Sequence, residues 1–108
     1  MGPEKIFERR VRAYIEHSGG WQVKYFANRM TKAGIPDILA CIGGYFVAIE
    51  VKSDAGSPSD LQLQKIREIR KAGGFAFVLY PSGWKKFCDF IQDLTHEAWS
   101  LDMDIEFK

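Results

Sequence analysis

Phe7, Val11, Tyr14 and Ile15 recur at helical spacing behind Pro3 and Glu4, and Ser18-Gly19-Gly20 ends the run. Proline suits a first helical turn, where its missing N–H is no loss, and an acidic residue there faces the positive end of the helix dipole. The pattern predicts a first helix closing before Ser18. Residues 21–26 then read as a short strand and 27–35 as a polar, basic connection holding Arg29 and Lys32. Residues 37–42 form a second predicted strand, Gly43-Gly44 a hairpin turn, and 45–52 a third strand. After a loop at 53–57, Pro58 opens a predicted helix running to about Ala72, closed by Gly73-Gly74.

Residues 75–80 are apolar without alternation, the pattern of a strand buried on both faces. Pro81-Ser82-Gly83 breaks that run, and Phe87, Phe90, Ile91 and Leu94 mark a helix over 84–94. In the tail, 99–108, Leu101, Met103, Ile105 and Phe107 alternate with polar residues, which predicts a late strand. The resulting order is αβββαβα. Its strand–helix–strand crossover implies a parallel pair in an otherwise antiparallel, mixed sheet flanked by helices.

Composition narrows the class. A chain of 108 residues, 46% hydrophobic and 27% charged, is read as one globular domain over 1–108. No apolar run approaches the roughly 20 residues that cross a bilayer. The start, MGPEKIFERRVR, has no apolar stretch behind its charges, so no secretory signal is expected. Only Cys41 and Cys88 occur, without metal-ligand spacing, so a disulfide scaffold and a zinc finger are excluded. The expected setting is reducing and cytoplasmic, that of the host if the gene belongs to a phage.

The net charge of +1 conceals an asymmetry. Residues 1–36 carry seven Lys/Arg against three Glu, residues 37–72 five of each sign, and residues 73–108 three basic against six acidic. A polyanion would meet the first third and avoid the last.

The chemistry concentrates in Gly34-Ile35-Pro36-Asp37 and Ile49-Glu50-Val51-Lys52. Side chains alternate along a strand, so Phe46, Ala48, Glu50 and Lys52 share one face of the third strand. An aliphatic strand that ends in a carboxylate and an ammonium on one side demands a partner for them, because unpaired buried charge is costly. Pairing around Gly43-Gly44 sets Asp37 opposite about residue 50. Two adjacent carboxylates repel unless one is protonated or a cation lies between them. Oxygen ligands select a hard ion, Mg²⁺ or Mn²⁺, and a metal beside Lys52 suits phosphodiester hydrolysis. The plainer alternative is a structural ion pair of Lys52 with Glu50 or Asp37.

Glu8 lies in line with Val11 and Ile15 on the apolar stripe of the first helix, where a solvated residue is out of place. Glu4, one turn earlier, is its rival and otherwise a dipole partner. In the second helix Leu61, Ile66 and Ile69 form the expected buried stripe, flanked by Gln62 and Lys65. Gln62 is then aimed at the strand ends or caps the sheet edge, and Gln64 faces solvent.

Pro36-Asp37 and Glu50-Val51-Lys52, with twelve residues between the acids, resemble the signature of the PD-(D/E)XK nuclease superfamily. Gly34-Ile35-Pro36-Asp37-Ile38 and the helix start at 57–62 are similar to its VRR-NUC family. The likeness also takes in the Glu8 helix, Gly19, and Gly73-Gly74, and spans roughly residues 4–81. It implies a restriction-endonuclease-like fold and a divalent-metal-dependent nuclease. By that resemblance Asp37 and Glu50 hold Mg²⁺ or Mn²⁺, with the Val51 carbonyl, and with Glu8 directly or through water. Lys52 orients the attacking water and Gln62 supports Lys52 or the phosphate, leaving a 5′-phosphate and a 3′-hydroxyl.

Stand-alone members resemble homodimeric archaeal Holliday-junction resolvases, in which two sites make two symmetric cuts. The expected partners are branched DNA and a second copy, with no membrane. The aromatic-rich helix 84–94 and the tail are the expected dimer faces. Lys24, Arg29, Lys32 and Lys65 are the expected phosphate contacts; Arg9, Arg10 and Arg12 are equally explained as a solvated helix face. The alternatives are a nuclease for flaps or nicked duplex, a junction binder without turnover, and a small structural domain whose charge cluster is incidental.

Overall fold

The computed structural model describes residues 1–26, 33–96 and 103–106. Helix α1 spans Pro3–His17, followed by strands β1 (Trp21–Lys24), β2 (Ile38–Ile42) and β3 (Tyr45–Val51). Helix α2 (Asp60–Lys71) then leads to β4 (Phe75–Leu79), a 3₁₀ turn at Pro81–Gly83, and α3 (Trp84–His96). The expected αβββαβα order stands.

The sheet order is β1-β2-β3-β4. The first three strands are antiparallel, and β4 runs parallel to β3 after the α2 crossover. Gly43 and Gly44 both adopt positive φ, +59° and +88°, the two-residue turn that matches strand twist. A side chain at Gly43 would also strike the Leu94 carbonyl of α3. Hairpin geometry and helix docking thus require the same glycine.

Two layers of helix cover the sheet. Phe7, Val11 and Ile15 of α1 and Phe87 and Ile91 of α3 pack on Ile38, Ala40, Ile42, Val47, Ile49 and Val51. On the other face Ile66 of α2 meets Ala48 and Ala76. Small residues in β3 and β4 let α2 lie close to the sheet there.

Several expectations shift. Helix α2 begins at Asp60, not at Pro58, because Ser59 caps it: the Ser59 hydroxyl accepts from the Gln62 N–H, and the Gln62 side chain accepts from the Ser59 N–H. Leu61 is exposed rather than part of the buried stripe, which leaves Ile66 as the buried residue of that helix. Strand β4 is buried only in part. It lies at the end of the sheet order, and Phe75 at its start remains exposed. In the tail, the described residues 103–106 are not strand, and the rest of that expectation lies outside the described residues. Among the described residues no helix is long and apolar enough to cross a membrane.

Candidate functional site

Four elements end at one place. β1 finishes at Lys24, β2 starts just after Asp37, β3 finishes just before Lys52, and α2 starts beside them. The register pairs Lys24 with Ile38 and Ile38 with Ile49, so one step further along the ladder Asp37 adjoins Glu50. The Tyr25 N–H donates to the Asp37 carbonyl at 2.7 Å and the Lys52 N–H to the Leu79 carbonyl at 3.0 Å. Backbone pairing therefore continues into the site and fixes it. Gly34, at φ +82°, closes the approach: a Cβ there would lie 2.9 Å from the Leu61 carbonyl, so the loop before Asp37 packs directly on the first turn of α2.

Asp37 is held at both oxygens. Oδ2 accepts the Val51 N–H at 2.9 Å, and Oδ1 lies 3.4 Å from the Lys24 ammonium. Lys24 also hydrogen-bonds Glu8 of α1. Glu8 thus reaches the strand ends, as its place on the apolar stripe predicts, whereas Glu4 is exposed.

Glu50, on the α2 side of the sheet, is 2% exposed, the one buried charged residue among those described. Its Oε2 accepts from Gln62 Nε2 at 3.0 Å and lies 3.5 Å from Lys52 Nζ. Its Oε1 is buried without a hydrogen-bond partner. Burial first, then the negative charge of Asp37, push the Glu50 carboxyl up to about 7, against the pull of Lys52. For Lys24, burial works against the ammonium, but the hydrogen bond to Glu8 and the charges of Asp37 and Glu8 outweigh it and raise its pKa.

Among the described residues no three His, Cys, Asp or Glu side chains stand together closely enough to hold an ion, and Lys24 lies between Glu8 and Asp37. The donor chemistry nonetheless fits a hard cation. It is all oxygen, one buried carboxylate oxygen lacks a partner, and an ammonium already fills a cation position.

The expected phosphate contacts fare differently. Lys24, expected on the approach to the site, lies within it. Lys65 pairs with Glu68 at 3.0 Å, and Arg29 and Lys32 lie outside the described residues. Arg10 stacks on the Trp84 ring at 3.9 Å and Arg12 donates to Gln22, so two arginines of α1 serve packing. The expected dimer helix also turns inward, with Phe87 and Ile91 buried and Trp84, Phe90 and Leu94 packed on the core. An apolar row remains exposed instead on the α2 side of the sheet, where Trp21, Cys41 and Phe46 pair across three strands. An apolar cavity of about 460 Å³ lies between β4 and α3, lined by Phe77, Tyr80, Phe87 and Phe90 and by none of the candidate residues.

Two features escape the sequence reading. The Ser59-x-x-Gln62 capping signature was visible and would have fixed the orientation of Gln62. The inward turn of Lys24 follows from its alternation with Gln22, since both side chains reach α1.

The model of one protein family, described as archaeal Holliday junction resolvase, matches residues 4–98. No curated protein matches the chain.

Proposed function

Because the chain belongs to the archaeal Holliday junction resolvase family, a PD-(D/E)XK-like family of DNA-hydrolysing nucleases, we propose that it is a divalent-metal-dependent endonuclease that resolves four-way DNA junctions as a homodimer. The observation that carries this reading is the buried Glu50 with its unpartnered Oε1 beside Asp37, two carboxylates that a purely DNA-binding surface does not need. Within the superfamily, Gly34-Ile35-Pro36-Asp37-Ile38 supports a kinship with the VRR-NUC branch.

In this reading Asp37, Glu50 and the Val51 carbonyl hold Mg²⁺ or Mn²⁺, and Glu8 completes the set. The ion, when bound, supplies Lewis-acid activation of the scissile phosphate and of water. Lys52, 3.5 Å from Glu50 Oε2, stabilises negative charge as it develops on the phosphate. Gln62 keeps Glu50 aimed by donating to one of its oxygens. The Val51 N–H keeps Asp37 in one rotamer. Both supports act before substrate arrives, so little reorganisation accompanies the chemistry.

Two symmetric cuts need two sites, and residues 1–108, read as one nuclease domain, supply one. The exposed Trp21–Cys41–Phe46 row supports an interface between copies, since monomers rarely leave aromatic side chains in an open row. The basic first third, with exposed Lys5 and Arg9, supports DNA contact beside α1.

The test is incubation of labelled four-way junction, flap and linear duplex with Mg²⁺, Mn²⁺ or chelator. Metal-dependent cutting of the junction alone is expected. Cutting of flaps or duplex in preference to junctions moves the substrate assignment, and tight junction binding without cutting under either metal favours a non-catalytic binder.

A further inference from the structure

We propose that Lys24 is the resident cation of the metal-free site, and that its ammonium must leave the gap between Glu8 and Asp37 before a divalent ion can enter. The inference rests on the reading of these carboxylates as metal ligands and adds a competitor to them.

The ammonium hydrogen-bonds Glu8 and stands 3.4 Å from Asp37 Oδ1. The three side chains are between 13% and 27% exposed, well below a solvated surface pair. Among the described residues Lys24 is the one cation paired with either acid. Asp37 Oδ2 accepts the Val51 N–H, and Lys24 faces the other oxygen, Oδ1. One positive charge between two carboxylates leaves a negative remainder, which a divalent ion neutralises and an ammonium does not. Lys24 and the metal therefore compete for the same oxygens rather than sharing them. The displaced ammonium has a place to go. The ring of Phe26 lies 5.9 Å away and is exposed, so a short outward swing brings Lys24 to the rim, where a DNA phosphate can receive it.

Lys24 is thus a positioning residue. It holds Glu8 and Asp37 together when metal is absent and becomes available to the substrate when metal binds. Entry of metal and readiness of one phosphate contact are then a single event.

The test is calorimetric titration of the full chain with Mn²⁺, for wild type, Lys24→Gln, Lys24→Arg and Asp37→Asn, with melting curves in chelator and in Mn²⁺. Removing a hydrogen-bonded charge from competition is expected to tighten Mn²⁺ binding by about tenfold or more in Lys24→Gln. Lys24→Arg keeps the charge and should stay near wild type. In chelator Lys24→Gln should melt below wild type, and Mn²⁺ should raise its Tm further than that of wild type. Unchanged or weaker Mn²⁺ binding by Lys24→Gln overturns the proposal. If Asp37→Asn loses the ion in that case, the metal-site reading survives alone; if no form, wild type included, binds Mn²⁺, both fall. A second measurement does not depend on the variant folding. In NMR of the wild type, Mg²⁺ should release the Lys24 ammonium from protection against water exchange, and a signal unmoved by saturating Mg²⁺ overturns the idea equally.

Discussion

Gln62 and Glu50 form a 3.0 Å hydrogen bond between the first turn of α2 and the end of β3, with the Gln62 amide N–H₂ as donor. The other end of the same amide accepts the Ser59 N–H at 2.9 Å. One side chain therefore caps the helix and aims the buried carboxylate, so helix start and site geometry are set together.

Changes at Gln62 should separate these two duties. Gln62→Ala loses both and should cost about 1–2 kcal/mol of stability, together with cleavage. Gln62→Glu keeps an acceptor for Ser59 but replaces the donor with a negative charge beside Glu50. It should melt closer to wild type than Gln62→Ala at acidic pH, yet cleave as poorly. Cleavage by Gln62→Glu at the wild-type rate contradicts the aiming role.

Lys52→Ala removes the cation nearest the Glu50 carboxylate at the end of β3. Loss of a preorganised charge of this kind costs about 10²–10³ in rate. Junction binding, dominated by phosphate contacts elsewhere, should change only a few fold. Filter binding and single-turnover cleavage on the same preparation measure both, and near-normal turnover removes Lys52 from the chemistry.

Of the two rival acids in the first half of α1, Glu8 reaches Lys24 whereas Glu4 lies exposed at the helix start. Glu8→Ala should therefore impair metal-dependent cutting at least about tenfold, the size of one charge-assisted contact. Glu4→Ala should leave cutting near wild type. The opposite ranking would assign the helical role to Glu4.

Glu50 gives the protein a distinctive response to pH. Its carboxyl titrates near 7 in the fold, raised from 4.5 by burial and by Asp37. Between those values the unfolded chain has released a proton that the folded protein keeps, so the stability held in neutral Glu50 is complete below 4.5 and lost as pH rises through about 7. In chelator, wild type should lose stability relative to Glu50→Gln across that window, by on the order of 3 kcal/mol. Because a metal needs the carboxylate, Mg²⁺ affinity should rise through the same window. A pH-independent difference between the two melting curves contradicts the assignment.

The exposed aromatic row offers a test of assembly. Light scattering at micromolar concentration should report a dimer, and Trp21→Glu together with Phe46→Glu should shift it towards monomer while melting changes little. A wild-type monomer removes the two-site argument.

Most of the frame was legible in the chain because its signals are local. Gly43-Gly44 allows little but a tight hairpin, and that turn carries Asp37 to Glu50 without further information. The α1 stripe likewise pointed Glu8 towards the strand ends, where it meets Lys24, through the misfit of a carboxylate among Phe7, Val11 and Ile15. What escaped depends on where elements meet. Lys24 reads as one more basic residue until α1 and β2 close around it. Helix 84–94 looks like a free apolar face until β2, β3 and β4 supply the surface it covers, and the uncovered row at Trp21, Cys41 and Phe46 emerges only once α2 is seen to leave it open.

The most direct measurement follows a four-way junction, labelled on each strand in turn, on a denaturing gel, with wild type and Asp37→Asn in Mg²⁺ and in chelator. Paired nicks at symmetric positions, bearing 5′-phosphates, made by the wild type in Mg²⁺ alone are the predicted result. A junction bound tightly but left whole in both Mg²⁺ and Mn²⁺, or cut equally well by Asp37→Asn, contradicts the account.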